Sequence, residues 1–214
     1  MSSKKKNQSC YFKYIDFIRL FACLAILLYH FGILRGGYLA VCTFFVLSGF
    51  LSTSSLFNKK KVSLKEYYFS KLFRLYLPLM IVVFISIAAT FILDKTWLNL
   101  KPESTSIALG YNNYWQLSSS NDYFAGTLNS PFTHLWYIAI LLQFDLIFPF
   151  IFMFLKKIGD RFNKIIPTII ISIFTLASTI YFWVSGINNS LMFTYYSTLT
   201  RIFSLFRIGI WLIL

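Results

Sequence analysis

Apolar residues in this chain gather into six runs, near 14–34, 38–57, 75–93, 132–155, 165–184 and 202–214. That succession limits the possible folds more than any other feature. The first five runs are long enough to cross about 30 Å of hydrocarbon as helices. Lipid gives backbone groups no partner, so a spanning segment must satisfy its own hydrogen bonds, as a helix does. A soluble alternative fails on composition. With 57% of residues hydrophobic and 13% charged, too few polar side chains exist to coat a water-facing surface. The expected fold is all-α, a polytopic transmembrane helical bundle without a soluble domain. The sixth run holds only 13 residues. It cannot span unless it starts earlier, near Tyr195, and is expected to be incomplete.

The net charge of +13 could suggest nucleic acid, but its distribution argues against that partner. Basic residues cluster between the runs, as orientation signals do. Lys4, Lys5, Lys6 and Lys13, then Lys59, Lys60, Lys61, Lys65, Lys71 and Arg74, then Lys156, Lys157, Arg161 and Lys164 all fall on one side of an alternating topology. Arg35, Lys95, Lys101 and Arg201 fall on the other. The contrast predicts a multi-pass protein of the cell membrane with its N-terminus in the cytoplasm and its first span running outward. The run after the basic N-terminus is too long for a cleavable signal peptide. Cys10, Cys23 and Cys42 have neither a paired framework nor metal-ligand spacing, so no metal is expected.

Ionisable residues inside a span are costly, and each is a candidate for function. The first run holds Arg19 and His30, eleven residues apart. At about 100° per residue that is three turns plus about 20°, so both project from one face, about 16 Å apart along the axis. Asp16 falls near the same stripe and can orient or neutralise Arg19. A satisfied polar pair between helices is the plain alternative. The only other histidine, His134, begins the fourth span, so the topology puts it at the outer depth of His30. A neutral imidazole can take a proton from a hydroxyl nucleophile. A guanidinium can bind phosphate through paired hydrogen bonds. The pattern suits an anionic donor entering from the cytoplasm and a hydroxyl acceptor outside. The polar stretch 94–131 is expected to be an outer loop, with interfacial aromatics or a glycan-binding surface as its two readings. Ser48-Gly49 marks a kink or close helix contact, and Arg207 lies within the last run. No phosphate-binding loop, dinucleotide fingerprint or nucleophile elbow is present.

Four blocks resemble the membrane acyltransferase 3 family, bacterial O-acyltransferases of extracytoplasmic glycans. They are Ile15-Asp16-Phe17-Ile18-Arg19 through Tyr29-His30-Phe31; Gly36-Gly37-Tyr38-Leu39-Ala40-Val41 with Phe44-Phe45-Val46-Leu47-Ser48-Gly49-Phe50-Leu51; Tyr67 through Pro78; and His134-Leu135-Trp136-Tyr137, continuing to Gln143-Phe144 and Pro149. Arg201 to Gly209 resembles a later element more loosely. The resemblance implies that 1–214 is the N-terminal portion of such a membrane domain. It implies transfer of an acetyl group from cytoplasmic acetyl-CoA, a co-substrate, to a hydroxyl of a cell-wall or surface polysaccharide. His30, Arg19 and His134 become the catalytic candidates. Arg19, Asp16, Ser48, Trp136 and Arg201 become the substrate contacts. Bilayer lipid, acyl-CoA and a glycan acceptor are the implied partners. Cys42 stands where many members have Asp, Leu141 and Leu142 where many have paired glutamates, and Asp145 where many have Tyr. The family domain has more spans than this length can hold, so the alternative is a truncated, non-catalytic membrane protein that retains part of the fold.

Overall fold

The computed structural model describes residues 13–57, 63–93, 100–119, 130–163, 165–188 and 191–201. These residues are helical or turn, with no strand among them. The first helix, α1 (Lys13–His30), ends sooner than its apolar run. Gly32 takes a left-handed φ of 73°. There the Ile33 amide donates back to the Leu28 carbonyl at 2.9 Å, a glycine stop of the Schellman kind. A short 3-10 turn, Gly37–Ala40, then leads into α2 (Val41–Phe57). Gly37 is required by contact: a methyl there would overlap the Ala25 carbonyl oxygen and crowd Tyr29. Glycine thus lets the chain press against α1 one turn below His30.

The next helical run starts well before the expected position 75. Ser63 caps it, its hydroxyl accepting from the Glu66 amide at 3.4 Å, in the Ser-x-x-Glu pattern of a capping box. It comprises α3 (Leu64–Lys71), a π stretch over Leu72–Tyr76 and α4 (Leu77–Ile92). After a 3-10 turn at Thr133–Leu135 come α7 (Trp136–Arg161) and then α8 (Ile165–Asn188). The short α9 spans Leu191–Tyr196. Four runs among the described residues are long and apolar enough to cross a membrane: Gly37–Phe57, Leu64–Ile92, Thr133–Arg161 and Ile165–Asn188. At 18 residues, α1 is also close to the length a span needs, with Lys13, Asp16 and Arg19 in its first two turns. The expected sixth run, 202–214, lies outside the described residues.

Helix α7 is the central post. Trp136, Ile140, Phe144, Phe148 and Phe152 line one stripe of it and pack with Phe45, Leu56, Tyr195 and Tyr196. By contrast α1 and α8 turn Phe17, Leu20, Phe21, Ile169, Ile173 and Leu176 outward. Such apolar exteriors belong in lipid.

The segment expected as an outer loop is in part a folded piece of the interior. Its two helices, α5 (Leu100–Ala108) and α6 (Asn112–Ser118), meet at Gly110, whose φ is 75°. The Gly110 carbonyl accepts from Gln143 at 2.8 Å, and the Ala108 carbonyl accepts from the Tyr76 hydroxyl at 3.0 Å. Gln143 lies ten residues into the Thr133–Arg161 run, about 15 Å along its axis. The hairpin therefore dips into the bundle. A closed set of neutral hydrogen bonds permits this: Gln143 donates to Asn113 (2.9 Å), Asn113 to Thr198 (3.0 Å), and Thr198 to Gln143 (2.6 Å). Nearer the open end, Gln116 donates to Glu103 at 2.7 Å. Burial raises the Glu103 carboxyl above its usual range, opposed by hydrogen bonds from Ser130 and Gln116. Asn112 and Asn113 are wholly buried and present no glycan-binding surface. Tyr111 and Tyr114 remain exposed.

Candidate functional site

The polar side chains of interest collect at two depths, because α1 and α7 run antiparallel. The C-terminal end of α1 brings His30 against His134, which precedes α7. The imidazole rings lie edge to face with centroids 4.6 Å apart. Tyr29 flanks His30 at 5.3 Å, and Tyr38 follows Tyr29 at 5.5 Å. The two histidines expected to share a depth are therefore in contact. His30 is exposed and His134 half-buried, so the pair is accessible from outside the bundle.

Eleven residues back along α1, Arg19 opens onto a cavity of about 400 Å³. Its other walls come from α2, from α3 with the π stretch, and from α7. Arg19, Lys71 and Arg74 supply positive charge; Glu66 and Asp145 supply negative charge; Ser48, Ser52, Ser55 and Ser70 supply hydroxyls. Arg19 donates to Asp16 at 3.2 Å, and both side chains are nearly half exposed. A pair in that setting is held loosely, leaving the guanidinium available to a ligand. Opposite it stands a tighter cluster. Lys71 is ion-paired to Asp145 Oδ1 at 2.8 Å and donates to Ser52 at 2.9 Å. The same Oδ1 accepts from Tyr67 at 3.0 Å and from Ser52 at 3.2 Å. Two prolines loosen the helices here. Pro78 and Pro149 lack the amide that would bond the carbonyl four residues earlier, and those residues are Arg74 and Asp145. The π stretch at Leu72–Tyr76 is the local distortion that often accompanies a functional site.

Of the expected substrate contacts, Arg19 and Ser48 line the cavity, and Asp16 bonds Arg19 beside it. The other two do not line it. Trp136 is 2% exposed and lies inside an aromatic cluster, its ring 4.5 Å from Tyr195 and 5.4 Å from Tyr196. That is a core position. Arg201 is 5% exposed, with Nε donating to the Tyr195 carbonyl at 3.2 Å and Nη1 to Cys42 Sγ at 3.3 Å. Its guanidinium stacks on Tyr195 and Phe182, in the aromatic layer that Tyr38 connects to the His30 end. Arg207 lies outside the described residues. The sequence reading gave Lys71, Arg74, Tyr67, Ser52 and Asp145 no role in a site. Asp145 carried the signal, as an acid within an apolar run. No cluster of three or more potential metal ligands occurs among the described residues.

Residues 12–213 match the acyltransferase domain that defines the acyltransferase 3 family. The chain belongs to this family. Acyltransferase 3 relatives include the O-acetyltransferase OatA of Staphylococcus aureus (strain NCTC 8325 / PS 47), 32% identical over 196 residues. That match covers 88% of this chain and 32% of OatA. A putative O-acetyltransferase of S. aureus strain COL is 30% identical over 207 residues, covering 92% of this chain and 34% of the relative. The chain spans about a third of the length of these curated relatives. No solved structure matches it. Within the acyltransferase 3 fold seen here, the departures noted in the sequence have a structural meaning. Leu141 is an apolar wall of the Arg19 cavity, while Asp145, one turn further along α7, provides that wall's carboxylate. Cys42 is the thiol that meets Arg201.

Proposed function

We propose that this chain forms the donor and acceptor ends of a membrane O-acetyltransferase that uses an acyl-CoA and a glycan hydroxyl. The carrying observation is the pairing of two polar sites on the same two helices. A cationic cavity at Arg19 lies eleven residues along α1 from the histidine contact at His30. The cations suit the phosphates of a CoA, with Arg19 able to fork onto oxygen pairs and Arg74 and Lys71 adding charge. The histidine pair suits a sugar hydroxyl. In this reading His30 takes the hydroxyl proton as the oxygen attacks the thioester carbonyl. The new C–O bond forms, the C–S bond breaks, and the proton passes to the departing thiolate. His134, at ring contact, orients His30. Tyr137 lies one turn from His134 and also lines the cavity, so α7 joins the two depths. The N-terminus lies in the cytoplasm in this arrangement, which the bias of basic residues supports, and the acceptor is a cell-wall or surface polysaccharide outside.

The test is His30→Ala in the full-length protein. Removing the general base should lower glycan O-acetylation by about 10²- to 10⁴-fold, with membrane abundance unchanged. Acetylation at the wild-type level would overturn the role given to His30.

A further inference from the structure

The 3-10 turn that carries His134 is held from the side of the α5–α6 hairpin. Helix α6 packs against this turn. Phe132, just before it, is buried with Ile107 of α5 and with Leu79 and Val83 of α4. A directed run of hydrogen bonds ends on the same turn. Gln116 donates to Glu103 at 2.7 Å. The Ser130 hydroxyl donates to the Glu103 carboxyl, and its oxygen accepts from the Phe132 amide at 3.0 Å. The Ser130 carbonyl accepts from the Thr133 hydroxyl at 3.0 Å, and the Phe132 carbonyl from the Leu135 amide at 2.9 Å. His134 lies inside that turn, its ring 4.6 Å from the ring of His30. Glu103 and Ser130 are both buried. Burying a carboxyl costs more than burying neutral amides, and neutral groups suffice around Gln143. A carboxylate only accepts. It therefore takes the Gln116 donor and draws the Ser130 proton toward itself, which leaves the Ser130 lone pairs for the Phe132 amide. We infer that Glu103 is a positioning residue of the acceptor site: bonded to Ser130, it sets the turn that presents His134 to His30. Its effect on transfer passes through His134, so the inference rests on the histidine roles given above.

The test is a double-mutant cycle in the full-length protein, in membranes whose own polysaccharide is the acceptor, with labelled acetyl-CoA as donor. Ser130→Ala removes the link without altering a helix. It should lower kcat about tenfold, as a small misplacement of a catalytic group does. The KM for acetyl-CoA should stay within about twofold, because the Arg19 cavity lies at the other depth. Glu103→Leu should behave in the same way. Glu103→Gln keeps an acceptor for Gln116 and a polar group toward Ser130, and should hold kcat within about threefold of wild type. In a His134→Ala background, Ser130→Ala should change kcat by less than about twofold, since the imidazole through which it acts is gone. A tenfold loss that persists in that background would mark a general packing role and overturn the inference. A rise in KM for acetyl-CoA that matches the fall in kcat would overturn it on the same ground. Wild-type kcat in Ser130→Ala would overturn it as well, and this variant with Glu103→Gln carries the test if Glu103→Leu fails to accumulate. Wild-type kcat in His134→Ala alone would leave nothing to position and would overturn the inference while His30 keeps its role. Wild-type kcat in both His30→Ala and His134→Ala would overturn the acceptor-site reading itself, and so would a wild-type protein that adds no acetyl to the polysaccharide; the inference would fall with it.

Discussion

Gln143 and Asp145 sit two residues apart on α7, at nearly the same depth, and face opposite sides of it at about 100° per residue. Each is polar and inside the bundle. Gln143 enters a closed ring of neutral groups with Asn113 and Thr198 and also caps the Gly110 carbonyl. Asp145 lines a charged cavity, and its Oδ1 holds Lys71, Tyr67 and Ser52 there. The difference separates two uses of buried polarity. A satisfied network fixes one packing and has no affinity left for a ligand. Charges that line a cavity, as the half-exposed Arg19 does, retain that affinity.

That contrast can be broken from either side. On the cavity side of α7 the largest effect is expected at Arg19. Arg19→Ala should raise the KM for acyl-CoA by about 10- to 100-fold, the worth of a charge-assisted hydrogen bond. Thermal stability should stay within about 0.5 kcal/mol, since the side chain is half exposed. Kinetics of the full-length enzyme and an unfolding curve check the pair of values, and a large stability loss would place Arg19 among the structural groups. The opposite pattern is expected at Gln143. Gln143→Leu leaves Asn113 and Thr198 without their shared partner and should destabilise the protein by about 1–3 kcal/mol. In the protein that remains folded, affinity for CoA should be unaltered; weakened affinity would mean that the two faces of α7 are coupled.

A smaller effect concerns Glu103. Burial raises its folded-state carboxyl, so the native state holds the proton to higher pH than the unfolded state does. Its contribution is therefore present below the unfolded-state value and is lost as pH rises through the folded-state value. Unfolding midpoints across the carboxylate range should fall with rising pH in the wild type and flatten in Glu103→Gln. An unchanged slope in the variant would remove Glu103 as the cause.

Much of the bundle is legible because length and hydropathy are local properties. The runs 38–57 and 165–184 reappear as Gly37–Phe57 and Ile165–Asn188. The helix from Leu64 was not legible as one piece, because its first turns are rich in Lys, Glu and Tyr and the apolar signal begins only at Leu75. The Gly110 hairpin was also hidden. Asn113 looks like a loop residue until Gln143, 30 positions away, is placed beside it. The shared depth of the two histidines was readable from topology, since antiparallel spans return the chain to the same depth, but their ring contact was not. The charged cavity was half readable. Arg19 stood out within its run, whereas Lys71 and Arg74 were counted as orientation charges, and Asp145 was seen as a departure from a pattern without its ion pair. Trp136 and Arg201 were placed among the substrate contacts by resemblance, and tertiary packing puts both in the core. Trp136 lies in the core while its neighbour Tyr137, and Leu141 one turn after that, line the cavity, a distinction that helical phase makes and motif matching does not.

In the proposed reaction the donor enters at the Arg19 end and the acceptor at the His30 end, across the bilayer. The most direct measurement uses the full-length protein inserted in one orientation in sealed vesicles. A glycan acceptor is supplied on the His30 side, and acetyl-CoA on one side at a time. O-acetylated glycan should form only when acetyl-CoA is on the Arg19 side. Equal product with acetyl-CoA on the acceptor's own side would contradict it.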